Sequence, residues 1–150
     1  MEKILDIIKE HEGFKSKPYS LEYKTSDGEN VTEKFKTIGY GFRMDYLELD
    51  EEISTMILIK KIHKIEKDLD NNFDWYDQAP ESVRHGVISI VYQLGLKSFM
   101  AFRKTIGFLS ESKWEEAADE SLDSRWAVQT PSRSKAVTDM IRSGSWADQL

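Results

Sequence analysis

The sequence predicts an α+β fold, a small N-terminal β-hairpin lobe followed by a larger helical lobe. Three observations carry that expectation. Strand-forming residues crowd positions 17–42 on either side of an Asp27-Gly28 pair, apolar residues recur at helical spacing from about Asp50 onward, and 150 residues suit one domain. With 39% hydrophobic and 32% charged residues the chain can bury a core and lacks the composition of a disordered segment. The expected layout is a single domain over 1–150, with a β lobe at about 13–49 and a helical lobe at about 50–150 that also takes in helix 1–12.

Taken in order, residues 2–12 set Ile4, Leu5, Ile8 and His11 on one helical face, and Gly13 follows as a C-terminal cap. Tyr19, Tyr23, Val31, Thr32, Phe35, Thr37, Ile38 and Tyr40 are strand formers. The run Ser26-Asp27-Gly28-Glu29-Asn30 between them is a hairpin turn, and Gly39 and Gly41 mark a tight bend at the far end. A turn centred on Gly28 pairs Tyr19 with Thr37 and Leu21 with Phe35 on one face, which sends Glu22 to the other. From about Asp50 a long helix carries Leu58, Ile62, Ile65 and Leu69 on one side. Its start is acidic and its later turns are basic, in accord with the helix dipole. Further helices are expected at about 81–94, 98–109, 112–123 and 132–142, with the apolar stretch 86–94 as the central core helix. Asn71-Asn72 and Gln78-Ala79-Pro80 bracket a short element carrying Trp75.

Composition removes several classes of function. No cysteine means no disulfide framework, no thiol nucleophile and no thiolate zinc site. His11, His63 and His85 show no paired spacing, so no metal centre is expected. A net charge of −6 argues against a nucleic-acid partner. No stretch approaches the roughly 18 apolar residues of a membrane span, so stable membrane insertion is not expected. Met1–Glu12 intersperses Glu2, Lys3, Asp6, Lys9 and Glu10 among apolar positions, which is an amphipathic helix rather than a signal peptide. The chain is expected to be made and kept in a cytoplasm.

Glu12 is the acid best placed for chemistry. It falls at the C-terminal end of a helix, just before the capping glycine and near Phe14 and Tyr19. The negative end of the helix dipole and an apolar setting both disfavour a carboxylate, and so favour the protonated form that a general acid needs.

His11-Glu12-Gly13-Phe14, Lys17-Pro18-Tyr19 and Thr37-Ile38-Gly39-Tyr40-Gly41 together resemble the active-site signature of the phage-type lysozymes, glycoside hydrolase family twenty-four. Val91-Tyr92-Gln93-Leu94-Gly95, Trp114-Glu115-Glu116-Ala117-Ala118, Ser124-Arg125-Trp126, Gln129-Thr130-Pro131-Ser132-Arg133 and Arg142-Ser143-Gly144-Ser145-Trp146 follow family patterns in the same order. Only about 20–36 and 43–49 fall outside the likeness.

The resemblance implies a lysozyme fold and a muramidase that hydrolyses the β-1,4 bonds between N-acetylmuramic acid and N-acetylglucosamine in bacterial peptidoglycan. It implies Glu12 as general acid, Thr37 across the cleft holding the attacking water, and Arg133 as an ion-pair partner of Glu12. Tyr92 and Gln93 line the sugar-binding cleft on the same grounds. A monomer without metal or cofactor is implied, acting as a phage or prophage endolysin. It would accumulate in the host cytoplasm and reach the wall once a separate pore permeabilises the membrane. Trp114, Trp126 and Trp146 fit core packing, and only a rim position makes one of them a sugar-stacking platform.

The chain also departs from the family. Leu21 stands where a second carboxylate is usual, although the usual route of glycoside hydrolysis needs two carboxyl groups, about 6.5–9.5 Å apart in inverting enzymes. Glu22 is the first candidate for the catalytic base and needs a single β-bulge near 20–22 to reach the Thr37 face. Asp27, Glu29 and Glu33 follow only if the extended hairpin folds back. Phe42 replaces a frequent histidine, and His11 a frequent acid. Recognition of an anionic wall by an acidic chain must rest on cleft hydrogen bonds and on local basic positions such as Arg103, Lys104, Arg133 and Lys135. Two other readings stay open: a lytic transglycosylase using Glu12 alone, and a non-catalytic lysozyme-fold protein that binds glycan or protein.

Overall fold

A computed structural model describes residues 1–144, so Ser145 and Trp146 of the last motif lie outside the described residues. The chain forms two compact units that divide between Glu51 and Glu52. The class is the expected α+β: a helix and a small antiparallel sheet, then a larger helical part.

In the first unit, α1 (Glu2–Glu12) ends where Gly13 turns to φ +65 and its N–H bonds the Lys9 carbonyl at 3.0 Å. Strands β1 (Lys15–Lys24), β2 (Asn30–Gly39) and β3 (Phe42–Arg43) form one antiparallel sheet in the order β1-β2-β3. The sequence reading missed β3, because a two-residue strand has no periodicity to read. Gly28, at φ +88, closes the β1–β2 turn, whose ends meet through the Thr25 N–H and the Glu29 carbonyl at 2.9 Å. A side-chain hydrogen bond from Thr25, with its own backbone N–H, holds the Asp27 carboxyl below its ordinary range.

Tyr19 faces Thr37 as expected, but not through the turn. The pairs at the tip, Tyr23–Val31 and Lys24–Asn30, centre on Asp27, and a shift between Ser20 and Glu22 restores the expected partner. The ladder is thus interrupted on either side of the Tyr19 and Ser20 pairs. From Lys15 to Tyr19, β1 advances four residues while β2 moves only the two from Gly39 to Thr37. The excess lies within residues 16–18, which include Pro18, a residue with no N–H to give a ladder. From Ser20 to Glu22 the imbalance reverses, with four residues of β2 (Lys36 to Thr32) opposite two of β1. The expected Leu21–Phe35 pair is therefore not made, and both fall within the interruption. Each excess is an even number, so the alternation of faces survives. Tyr23 stays on the Tyr19 face, and Glu22, opposite Thr32, on the other.

The second unit comprises α2 (Glu51–Asn72), α3 (Glu81–Leu94), α4 (Leu96–Phe99), α5 (Arg103–Ser110), α6 (Trp114–Leu122), α7 (Arg125–Gln129) and α8 (Pro131–Arg142). Helix α3 is its centre: Val83, Val87 and Ile90 are wholly buried. Gly86 lets α8 come close, since a Cβ there would stand 2.7 Å from Ile141 Cγ1 and 3.1 Å from the Val137 carbonyl oxygen. On α2 only Leu69 is fully buried, with Ile62 and Ile65 packed against the core. The helix expected at 98–109 is broken at Met100–Phe102, which lets Phe99 fill the core while Phe102 stacks on it at 6.3 Å. Helix α7 was not foreseen, although Ser124 announces it: its Oγ caps the helix by accepting from the Ala127 N–H at 3.2 Å. The Trp75 segment is a chain of turns rather than a regular element, and Trp114 and Trp126 are core residues at 4% exposure. Among the described residues no helix is long and apolar enough to cross a membrane.

Candidate active site

Glu12 is positioned by the end of α1 and by a glycine. Gly41 lies in the turn between β2 and β3 at φ +79, and a Cβ built on it would meet Glu12 Oε2 at 2.5 Å and Cδ at 3.1 Å. The carboxylate therefore rests against bare backbone, in space no other residue type leaves open. Gly39, at φ +67, does the same for the Phe42 ring, which a Cβ would meet at 2.8 Å. The Phe14 and Tyr40 rings pair 5.3 Å apart, and Lys9 Nζ lies 5.8 Å over the Tyr40 ring. The Thr-Ile-Gly-Tyr-Gly run is thus a sharp turn that gives the acid a backbone seat, while Glu12 itself is exposed and the apolar setting expected of it is not found.

Thr37 is 2% exposed in the middle strand, between Tyr19 on β1 and Arg43 on β3. Among the described residues its buried Oγ1 has no hydrogen-bond partner. A buried hydroxyl left unengaged costs free energy, and it can both donate to and accept from a water molecule or a substrate hydroxyl. Glu22 is exposed beside a shallow depression of about 460 Å³ shared with Lys24, Asn30 and Thr32, toward the hairpin tip. Strand alternation keeps it off the Thr37 face. Asp27 and Glu29 belong to the turn itself, and Glu33 falls within the interrupted part of β2.

Of the candidates in the second unit, Tyr92 and Arg133 come together and Gln93 does not join them. Tyr92 and Arg133 line a cavity of about 360 Å³ with Leu58, Ile62, Glu66, His85, Ile88 and Ser89. Arg133 Nη2 donates to Ser89 Oγ at 3.4 Å. Sequence reasoning missed Ser89, though it precedes Tyr92 by three residues and so shares its helix face. Gln93 turns away: its Oε1 accepts from Trp126 Nε1 at 2.8 Å. Trp126 belongs to a separate cavity of about 540 Å³ with Phe102, Arg103, Lys104, Arg125 and Gln129. Of the expected local basic positions, Lys104 meets Glu120 at 3.6 Å and Lys135 meets Asp139 at 2.7 Å, which leaves less free charge than the sequence suggests. Among the described residues no three His, Asp or Glu side chains are grouped to hold a metal ion.

No family model matches the chain. Among curated proteins it is 37% identical over 59 residues to "Probable T4-type lysozyme 1" of Dictyostelium discoideum, a match covering 39% of this chain and 35% of that protein. It is 31% identical over 70 residues to "Probable T4-type lysozyme 2" of the same organism, covering 47% and 41% respectively. The likeness thus spans about two-fifths of the length of these relatives. The chain is related to the phage-type lysozymes.

Proposed function

We propose that the protein is a muramidase acting on the glycan strands of bacterial peptidoglycan, with Glu12 as general acid. The observation that carries this reading is the seat of Glu12: a carboxyl at a helix C-terminus, lodged against a positive-φ glycine two residues after the end of the strand that holds Thr37. A general acid must be held at one point while its proton moves to the glycosidic oxygen, and rigid backbone on one side does that. Thr37 offers an unengaged hydroxyl for the attacking water. Tyr92, Gln93 and Arg133 are proposed to bind substrate, and Glu22 is the first candidate to activate the water. The relatives named lysozyme support the activity. An endolysin role, with storage in a host cytoplasm until the membrane is opened, is the proposed setting.

One observation favours a second reading. Strand alternation keeps Glu22 off the Thr37 face, which fits a lytic transglycosylase in which Glu12 works alone. There the muramyl C6 hydroxyl closes on C1 in place of water and leaves a 1,6-anhydro sugar.

Digestion of purified peptidoglycan by the wild type, Glu12→Gln and Glu22→Gln, followed by mass spectrometry of the muropeptides, separates these readings. Reducing-end products lost in both variants support the two-carboxylate hydrolase. Loss in Glu12→Gln alone discards Glu22 as base, and anhydro products identify the transglycosylase. A folded wild type that cuts no wall from several bacterial groups overturns both in favour of a binding protein.

A further inference from the structure

The helical unit holds a third cavity, of about 550 Å³, that shares no residue with those of Tyr92 and Trp126. Its lining includes Trp75, Trp114, Phe73, Asp74, Gln78 and Ser112. Few side-chain polar atoms among the described residues are buried without a hydrogen-bond partner, and the indole nitrogens of Trp75 and Trp114 are two of them. Both tryptophans line this one cavity, with the nitrogens themselves set back behind its surface. An indole nitrogen can only donate, so what each lacks among the described residues is an acceptor. Leaving a buried donor unpaired is costly and calls for a physical account.

Around these donors the wall is of mixed character. Trp75 is half-buried, with ring contacts to Phe73 at 5.5 Å and Tyr76 at 6.1 Å and one side left to the cavity. Asp74, Gln78, Ser110 and Ser112 are exposed around it and bring hydroxyl, amide and carboxylate groups. Ser112 has φ +57, a conformation a non-glycine residue adopts at a cost, and it shapes the rim at the entry to α6. Aromatic surface, amide and carboxylate groups that take hydrogen bonds from hydroxyls, and indole donors in need of an acceptor suit a ligand with an apolar face, several hydroxyls and a carbonyl. Asp74 disfavours an anion. That ligand is a neutral N-acetylated saccharide.

We propose that this cavity is a second glycan-binding site, outside the catalytic machinery, which takes an N-acetylhexosamine unit with its ring on Trp75 and its acetamido oxygen accepting from an indole. The nitrogens are closed to solvent, so engaging them takes a small turn of the ring. The site rests on the muramidase reading for its natural ligand, since peptidoglycan glycan is a polymer of such units. It would hold the enzyme on an insoluble wall between cuts.

The test is a titration of the full-length, isotope-labelled protein with triacetylchitotriose, read at the indole N–H resonances and assigned with Trp75→Phe and Trp114→Phe. Saturable shifts at Trp75 and Trp114 are the expected result. Movement of the Trp126 resonance alone, or of no indole, overturns the proposal. In the companion experiment Trp75→Ala releases the protein from insoluble peptidoglycan about tenfold more readily while leaving cleavage of a short soluble glycan unchanged. If Trp75→Ala alters the folded spectrum, Gln78→Ala replaces it. Unchanged retention overturns the site. Wall cleavage with silent Trp75 and Trp114 leaves the muramidase reading standing and removes this site. Indole shifts without any cleavage do the reverse.

Discussion

At the scale of single residues the Glu12 seat makes the sharpest demands. Gly41→Ala places a methyl group where Glu12 Oε2 now lies, in a backbone conformation that costs an L-residue about 1–2 kcal/mol. Displacing the acid by about 1 Å is enough for a roughly hundredfold loss of rate. Wall-clearing kinetics should fall by that order while thermal denaturation moves only by the strain. Thr37→Val separates function from stability in the other direction. It removes a buried hydroxyl that has no partner, so stability should hold or rise while muropeptide release drops about a hundredfold. A parallel loss of stability and activity would show that Thr37 is merely structural. The placement of Glu12 at the end of α1 and of Thr37 in a strand was legible in the sequence, because a glutamate before a helix-capping glycine and a Thr-Ile-Gly-Tyr-Gly run are local patterns. Gly41's part was not, since nothing in the order of residues says whose side chain occupies the space a glycine leaves.

At the scale of elements, α3 and α8 are held together by what Gly86 lacks. Gly86→Ala should destabilise the protein by about 1–3 kcal/mol in denaturant unfolding, because its methyl meets Ile141 and the Val137 carbonyl at once. Gly107→Ala on α5 is the control: its Cβ meets nothing within 4 Å, so it should stabilise by about 0.5–1 kcal/mol. Equal effects from the two would refute the close helix approach. The helices themselves were largely readable from apolar spacing, and α1 and α3 begin and end where that spacing puts them. The break at Met100–Phe102 and the five-residue α7 were not. One answers to how Phe99 reaches the core, and the other is too short to show a period.

At the scale of the molecule, charge and burial set the response to solution conditions. Burial, reinforced by the nearby Glu66 carboxylate, pushes the Tyr76 phenol up to about 12. The folded state thus keeps this proton when the unfolded chain, ionising near 10, has lost it. The Tyr76 contribution is intact below pH 10 and drains away as pH rises toward 12, so denaturation midpoints should fall across that window and Tyr76→Phe should flatten the fall. The net charge of −6 opposes approach to an anionic wall. Raising salt from about 0.01 to 0.15 M shortens the screening length from about 30 to 8 Å, and cleavage of intact walls should speed up. A rate that falls steadily with salt would instead show that local basic residues govern the encounter.

What the sequence determined by itself is whatever depends on neighbours a few residues apart: the hairpin turn at Asp27-Gly28, most of the helix starts and stops, and the acid that ends α1. Such features follow from backbone geometry and apolar spacing, both written along the chain. Tertiary structure decided the rest. The interruption between Ser20 and Glu22 takes up two extra residues of β2 and so kept Glu22 off the Thr37 face, where a single-residue bulge would have reversed it. Packing parted Gln93 from Tyr92, its neighbour in sequence, by giving it to Trp126. Folding also set two indoles, thirty-nine residues apart, around one cavity. Each outcome rests on how side chains distant along the chain share space, and a linear pattern carries no term for that.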